Sequence, residues 1–489
     1  MEEPMTAPFF LGIDIGTQGA RVVLMDSQGN EVGNKEEPFL LSIQSREEQS
    51  PQEWWHACLR CLTAVVKDVR TKINLGDIKA VSVTSTSGTV IPLDKNFECL
   101  HNAIMYSDNR SIKEGLVCRE MAMTYNRESY TGFNSSSGLS KMVWFVNNFP
   151  VKAASLRKWI HAADYITGKL SGAWAITDYT NALKSGFDLH RYEWPEYLYK
   201  KLPLKKEWLP EVVAPGTPIG TLSPRVALKL GLPEGIIVAA GITDGCASQV
   251  ASGAINAGDW NTTIGTTMVI KGVTNNEVKD KEGRIYNHRH PEGFWMPGGA
   301  SNIGADWINN GFKDDVTLLD KQAKDLIPGS ALAYPLLQKG ERFPFIAPDA
   351  TGFKPGGLPR VQLFVANMEG VAYVERYAYE LLEKLSGEKV KAVYTAGGGS
   401  NSETWLIIRC NVLNRPIYKM KYVTGAVGAA ILGASKTFFT SLTLATRAMT
   451  QVEKEILPQK DLTENYTANY HRFLLLLQEK GYLKSELYA

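Results

Sequence analysis

The sequence predicts an α/β fold in two lobes, and three observations carry that prediction. Strand-like and helix-like segments alternate along the chain, the pattern of sheets with helices laid against them. The 489 residues exceed what one domain ordinarily holds, and two large lobes fit that length. Two apolar hairpins around Gly-Thr turns, FLGIDIGTQGARVVLMD (Phe10 to Asp26) and GDWNTTIGTTMVIKGV (Gly258 to Val273), lie about half a chain apart. An internal duplication would give two lobes of like fold.

The elements follow in order. In the first hairpin Gly16 and Gly19 supply the backbone freedom of the turn, Thr17 adds a hydroxyl, and the turn amides can converge on an anion. Asp14 ends the first apolar run. A carboxylate beside an anion turn repels phosphate unless a divalent cation lies between them, so the pair points to a magnesium–nucleotide site. A helix is expected over Pro51 to Lys72 and a single apolar strand over Ile78 to Asp94. The stretch from Tyr106 to Trp208 mixes helical patterns with Ser/Gly turns and reads as an insertion that builds a substrate pocket. A second apolar strand, Gly235 to Gly245, ends on Asp244 before a helix start of small residues. The second hairpin turns at Gly265-Thr266-Thr267. The strand KAVYTA then runs into Gly397-Gly398-Gly399 and a helix with Trp405, Leu406, Ile408 and Val412 on its apolar face and Ser400 or Asn401 as N-cap. Glycines at a strand-to-helix junction let a ligand lie against the backbone. The tail from Ser435 reads as helical.

Composition excludes several classes. A net charge of +2 gives no polybasic surface for nucleic acid or an anionic membrane. No apolar run is long enough to span a bilayer, and the opening MEEPMTAPFF lacks the order of a signal peptide, which places the protein in the cytoplasm. Six cysteines in this length make no disulfide framework. Cys58 and Cys61 form a lone C-x-x-C inside a helical pattern, and His288 and His290 form an H-x-H without a third ligand; both read as structural. Neither a G-x-x-x-x-G-K-[ST] loop nor a strand-borne G-x-G-x-x-G occurs.

The order of Asp14-Ile-Gly-Thr-Gln-Gly-Ala-Arg21, Asp244-Gly, Gly265-Thr-Thr and Gly397-Gly-Gly-Ser-Asn resembles the FGGY carbohydrate kinases, relatives of actin, hexokinase and Hsp70. Tyr106-Ser-Asp-Asn-Arg110, TDYTNALKSGF, Gly298-Gly-Ala-Ser-Asn302 and KGERFPFIAPD extend the resemblance over nearly the whole chain, toward the D-ribulose and D-xylulose kinases. The resemblance implies a two-lobe actin/hexokinase-like fold with duplicated ribonuclease-H-like domains. Residues 8–252 would bind sugar and residues 253–489 nucleotide. It implies ATP and Mg2+, a small-molecule sugar as partner, and a homodimer.

A sugar hydroxyl needs a proton acceptor as it attacks phosphorus. Asp244, ending a strand, suits the general base, and the resemblance gives it that role; capping the following helix is the other reading of its position. Asp14 suits the metal shell, with Asp244 beside it. For the nucleotide the resemblance implies Gly16, Thr17, Gln18 and Arg21, then Gly265, Thr266 and Thr267, then Gly397, Gly398, Gly399 and Asn401. Arg21 either contacts phosphate or braces the hairpin. For the sugar it implies Thr86, Ser87, Gly88 and Asp108, the last either on sugar hydroxyls or braced by Arg110. Thr-Ser stands where the bacterial xylulokinases carry Met-His, which favours D-ribulose over D-xylulose. Gly138 before Lys141 in GLSKMVWF, and Thr424 opening TGAVGAA at the last nucleotide-site helix, depart from the family pattern. Ribitol, glycerol or hexose kinases, or an actin/Hsp70-like ATP-driven binding protein, are the alternative functions.

Overall fold

The structure, a computed structural model, describes residues 7–125, 127 and 130–483. The expectation about a leader at the start of the chain rests mainly on residues 1–6, outside the described residues. The chain forms two compact units: Met1–Ala251 with Pro291–Gly293 and Tyr422–Thr450, and Ser252–His290 with Phe294–Lys421 and Gln451–Ala489.

Among the described residues, each unit is built on a seven-stranded sheet. In the first unit the strands are β1 (Phe9–Ile15), β2 (Gly19–Asp26), β3 (Glu31–Pro38), β4 (Ile78–Ser85), β5 (Pro218–Thr221), β6 (Ile237–Ala239) and β7 (Ile242–Thr243). They lie in the order β5-β6-β4-β1-β2-β3, with β7 pairing β4. The second unit has β8 (Asp259–Ile264), β9 (Met268–Gly272), β10 (Tyr286–Arg289), β11 (Trp295–Ser301), β12 (Ala392–Ala396), β13 (Ile417–Met420) and β14 (Val452–Ile456), in the order β10-β11-β9-β8-β12-β13-β14. The duplication is visible in the pairing. In each unit an antiparallel meander (β1-β2-β3 or β8-β9-β11) is followed by two parallel neighbours and an antiparallel edge strand.

The period-two alternation of a strand sets what each face of β1 touches. Phe9, Leu11, Ile13 and Ile15 join one core with Trp54, Leu62, Val65 and Val69 of the helix Pro51–Val69. The opposite face, Phe10, Gly12 and Asp14, meets the segment that begins at the helix Gly425–Ser435. Phe10 packs on Phe438, a Cβ at Gly12 would stand 1.8 Å from the Ala426 carbonyl oxygen, and one at Gly425 would stand 2.8 Å from Asp14 Oδ2. Glycine at position 12 is therefore the condition for this helix to lie on the strand. The helix that TGAVGAA opens, which the sequence places with the nucleotide half, packs on the first unit's sheet. The small residues that read as a nucleotide-site helix start make the close approach: a Cβ at Gly428 would stand 2.0 Å from the Ala247 carbonyl oxygen.

The strand expected over Ile78 to Asp94 is two strands in two sheets. Gly88, at φ +89°, turns the chain, and a Cβ there would stand 2.3 Å from the Ser136 carbonyl oxygen. Val90–Leu93 then pairs with Lys158–His161 in a separate four-stranded sheet. The strand ending at Asp244 breaks into β6 and β7 at Gly241, which passes the Val83 carbonyl too closely for any side chain. The tail is not helical throughout: β14 separates the helices Leu442–Met449 and Lys460–Glu479. Its VEKEI sequence is the charged alternation of an edge strand, which a helical reading absorbs easily.

In the second unit Trp260 and Ile264 of β8 enter a core with Phe364, Met368 and Val371 of the helix Arg360–Ser386 and Trp405 and Ile408 of the helix Glu403–Leu413. A fully buried pair fixes these elements together: Arg409 donates to both Glu375 oxygens at 2.7 and 2.8 Å and to Thr395 Oγ1 at 2.7 Å. Thr395 in turn donates to the Thr262 carbonyl of β8. Removing one member of such a pair leaves an uncompensated buried charge, at a cost of about 3–5 kcal/mol.

Candidate active site

In the first unit the hairpin turn closes with the Gly16 amide donating to the Gly19 carbonyl at 3.0 Å. Gln49, which the sequence reading passed over, holds it from outside: its Nε2 donates to the Thr17 carbonyl at 3.0 Å, and its Oε1 accepts from Trp54 Nε1 at 2.9 Å. Gln18 is exposed, and its carbonyl accepts the Phe39 amide. Arg21 takes the bracing role, donating to Glu36 Oε2 at 2.5 Å across the β2–β3 pair.

Asp14 pairs with Thr84 in the parallel register and with Arg21 in the antiparallel one. Its carboxyl is raised to about 7, first by burial and then by the charge of Asp244, which Arg21 offsets in part. The structure thus brings the two aspartates predicted for metal and base into one electrostatic site. Asp244 is exposed and opens the helix Asp244–Ala251, and its Oδ1 accepts the Gly245 amide at 2.6 Å. Two carboxylates of like charge supply oxygen donors for a hard divalent cation that keeps most of its waters. Among the described residues, no group of three His, Cys, Asp or Glu is arranged to hold a metal.

The predicted sugar residues gather around the Gly88 turn. Thr86 Oγ1 and Thr89 Oγ1 lie 2.9 Å apart, and Thr89 accepts the Tyr106 amide. Ser87 Oγ is buried without a hydrogen-bond partner among the described residues. Asp108 is buried and both its oxygens are taken by Arg110, which also donates to Glu48 and lies over the Trp144 ring. The brace, one of the two readings of this pair, is the geometry present. Beneath it the buried Lys141 ammonium donates to the carbonyls of Asp108 and Ser135, and burial lowers its pKa to about 8. No sequence pattern signalled that this lysine ties the Asp108 turn to the 134–136 loop.

In the second unit the turn closes with the Gly265 amide on the Thr267 carbonyl at 3.0 Å, and Thr266 is exposed at its tip. The Gly265 carbonyl accepts the Ala305 amide at 2.7 Å, and Gly304 abuts Thr266 and Thr267 with no room for a Cβ. The glycine run reaches the same hairpin. A Cβ at Gly397, φ +85°, would stand 2.5 Å from the Ile264 carbonyl oxygen, and one at Gly399 would meet the Ile264 side chain; Gly398 has nothing within 4 Å. Asn401 is exposed, in a short turn over Gly398–Asn401. The N-cap is Ser402, not Ser400 or Asn401: its Oγ accepts the Trp405 amide at 2.9 Å, because the turn delays the helix start. Glu341 joins the segments Gly298–Asn302 and Gly340–Pro344, accepting from Ser301, the Asn302 and Arg342 amides, and Tyr334.

Of the two paired motifs, the cysteines lie within a helix, whereas of the histidines His288 lies in β10 and His290 just follows its end at Arg289. Cys58 and Cys61 are buried in the helix Pro51–Val69, their thiols raised chiefly by burial. His288 and His290 are buried beside the Tyr286 and Phe294 rings. No helix among the described residues is long and apolar enough to cross a membrane.

Comparison with known proteins adds to this geometry. Residues 9–251 match the N-terminal domain of the FGGY family of carbohydrate kinases, and residues 260–437 match its C-terminal domain. The chain is 26% identical over 449 residues to a xylulose kinase of Bacillus subtilis, covering 87% of this chain and 88% of the relative. It is 28% identical over 460 residues to a gluconokinase of the same organism, covering 88% of each. Among solved structures, a xylulose kinase from Rhodospirillum rubrum superposes with a TM-score of 0.83 at 23% identity, covering 96% of this chain and 98% of that one. A glycerol kinase from Plasmodium falciparum gives 0.80 at 18%, covering 97% and 99%. These last two speak to the fold.

Proposed function

The chain belongs to the FGGY family of carbohydrate kinases and is an ATP-dependent phosphotransferase, and on that premise we propose that it phosphorylates the terminal hydroxyl of a ketopentose, D-ribulose ahead of D-xylulose. The observation that carries the proposal is the placement of Asp14 and Asp244 at one end of the first unit's sheet, with Asp14 opposite Thr84 and Thr243, the residue before Asp244, opposite Ser85 of β4.

Asp244, the exposed member, accepts the proton of the attacking hydroxyl on a carboxylate oxygen as the new oxygen–phosphorus bond forms and the bond to the departing ADP breaks. Asp14 and Asp244 would hold Mg2+, which when bound balances the charge of the phosphate oxygens. In the first unit Thr17, and in the second Thr266 and Thr267, offer hydroxyls and turn amides to phosphate, with Gly16 and Gly265 closing the turns that present them, and Gly397 to Gly399 with Asn401 offer an open backbone to the nucleotide. Arg21 stays on Glu36 and supports the hairpin. On the sugar side, the unpartnered Ser87 hydroxyl suits a hydroxyl of the acceptor, while Asp108 acts by holding Arg110. A short polar hydroxyl at this turn is the reason for ranking D-ribulose first.

The relative named a gluconokinase favours a second reading, a six-carbon sugar acid as acceptor. A coupled ADP-release assay over D-ribulose, D-xylulose, ribitol, glycerol and gluconate separates the two. D-ribulose should give the highest kcat/KM, and a higher value for gluconate than for either ketopentose overturns the proposal. A homodimer working in the cytoplasm, where ATP is supplied, completes it, and sedimentation equilibrium measures the assembly.

A further inference from the structure

The strand that delivers Asp244 is only two residues long, Ile242–Thr243, and β4 pairs it on one side, Thr243 opposite Ser85. The Thr243 amide, buried with the rest of its residue, donates to a side chain: Thr180 Oγ1, at 3.0 Å. Thr180 comes from the short helix Tyr179–Ala182, far away in sequence and also buried. Its hydroxyl has one hydrogen to give, and it gives it to Asp178 Oδ1 at 2.5 Å. That leaves its lone pairs aimed at Thr243.

Asp178 is held in turn. Its Oδ1 accepts the Thr180 and Asn181 amides at 2.8 and 3.1 Å, and its Oδ2 accepts Asn181 Nδ2 at 2.5 Å. The carboxylate is fully buried, and its hydrogen bonds belong to the turn that carries Thr180. An aspartate capping one turn of helix would not by itself suggest more than a cap. The bond onward to the residue immediately before Asp244 does.

We propose that Thr180 is a positioning residue for Asp244: its hydroxyl, oriented by Asp178, stands in for the missing neighbouring strand and fixes where the Asp244 carboxylate begins. The proposal rests on the reading of Asp244 as the general base. A base must lie within hydrogen-bond reach of the hydroxyl it deprotonates, and small displacements at such a contact are expensive in rate while leaving ground-state binding nearly intact.

The test compares Thr180→Val, Thr180→Ser and Asp244→Asn in the full-length enzyme, with kcat and KM for sugar and ATP measured separately and the Tm recorded. Valine keeps the shape and loses the acceptor. T180V should lower kcat about 10- to 100-fold with KM for both substrates within about threefold of wild type. T180S should restore kcat to within about threefold. A wild-type kcat in T180V overturns the proposal, as does a loss that T180S fails to recover while its Tm matches wild type. Should T180V not fold, the T180S result alone decides: a kcat below a tenth of wild type in a folded T180S enzyme overturns it. D244N separates the two levels. Turnover retained in D244N removes the base assignment itself, whereas an inactive D244N beside a fully active T180V removes only the role of Thr180.

Discussion

The two hairpins enter their turns through the same Ile-Gly-Thr run and differ in the side chain just before it. Asp14-Ile15-Gly16-Thr17 and Thr263-Ile264-Gly265-Thr266 stand at equivalent places in equivalent sheets, each turn closed by the amide of its first glycine. The first carries a carboxylate where the second carries a hydroxyl. What flanks them differs accordingly. Asp14 lies at the start of the helix Gly425–Ser435 and within the field of Asp244, whereas the second turn is lined by the glycine run at Gly397 to Gly399. The same Ile-Gly-Thr run occurs in both sheets, and the residue before it makes one copy a charged centre and leaves the other a backbone cradle.

Four measurements break or sharpen that comparison. The largest effect is expected for Asp244→Asn, which removes the proposed proton acceptor, the carboxylate beside the charged copy alone. Turnover should fall by about 10²- to 10⁴-fold in an ADP-release assay, with ATP and sugar affinities by calorimetry largely kept.

Next come the glycines of the cradle. Gly397→Ala forces a Cβ onto the Ile264 carbonyl at a positive φ and should destabilise the fold by about 1–3 kcal/mol in denaturant unfolding. Gly398→Ala meets open space, so its midpoint should stay put. A weakened ATP affinity in G398A at unchanged stability would mark the glycine run as a nucleotide surface, and an unchanged affinity would limit its role to packing.

Third, Asp14→Asn tests the charge that distinguishes the copies. A carboxyl raised from 3.8 to about 7 in the folded state binds its proton more tightly there than when unfolded. Wild-type stability from this group is therefore full below pH 3.8 and is lost as pH rises to about 7, where the buried charge must form. Without added Mg2+, D14N should be more stable than wild type at pH 8, by about 1–2 kcal/mol after allowance for partial solvent screening, and the gap should close toward pH 4. An equal gap at both values would show that the carboxylate is not strained by its surroundings.

The smallest effect belongs to Arg21→Ala. The pair with Glu36 is partly exposed and contributes about 0–1 kcal/mol. A small change in Tm with unchanged KM for ATP fits the brace, and a large rise in that KM would return Arg21 to the phosphate.

The sequence made some of this legible and hid the rest for identifiable reasons. Both hairpins, the long helix after Pro51 and the glycine junction were readable because turn chemistry and periodicity are local. Asp14 and Asp244 stood out because acids ending apolar runs need a purpose. What was misread depended on distant partners. Gly88 breaks a strand because the 134–136 loop passes beside it, and Thr180 matters through a residue sixty-three positions away. The packing of the helix at Gly425 was hidden as well, because its small residues fit both a ligand turn and a close helix–strand contact, and the partners that receive it, Gly12 and Asp14 among them, lie near the other end of the chain.

That contact with Gly12 has a consequence for the order in which the protein is made. One side of the central strand of the first unit is covered by residues the ribosome adds more than four hundred positions later. Until then the nascent sheet has only its Trp54 side sealed. A gene cut at residue 251, where the family's N-terminal match ends, would encode a layer without its lid, with Phe10 left open to its neighbours. Domains ordinarily fold as they emerge, first half first; here the first half waits for a piece of the last before it is finished.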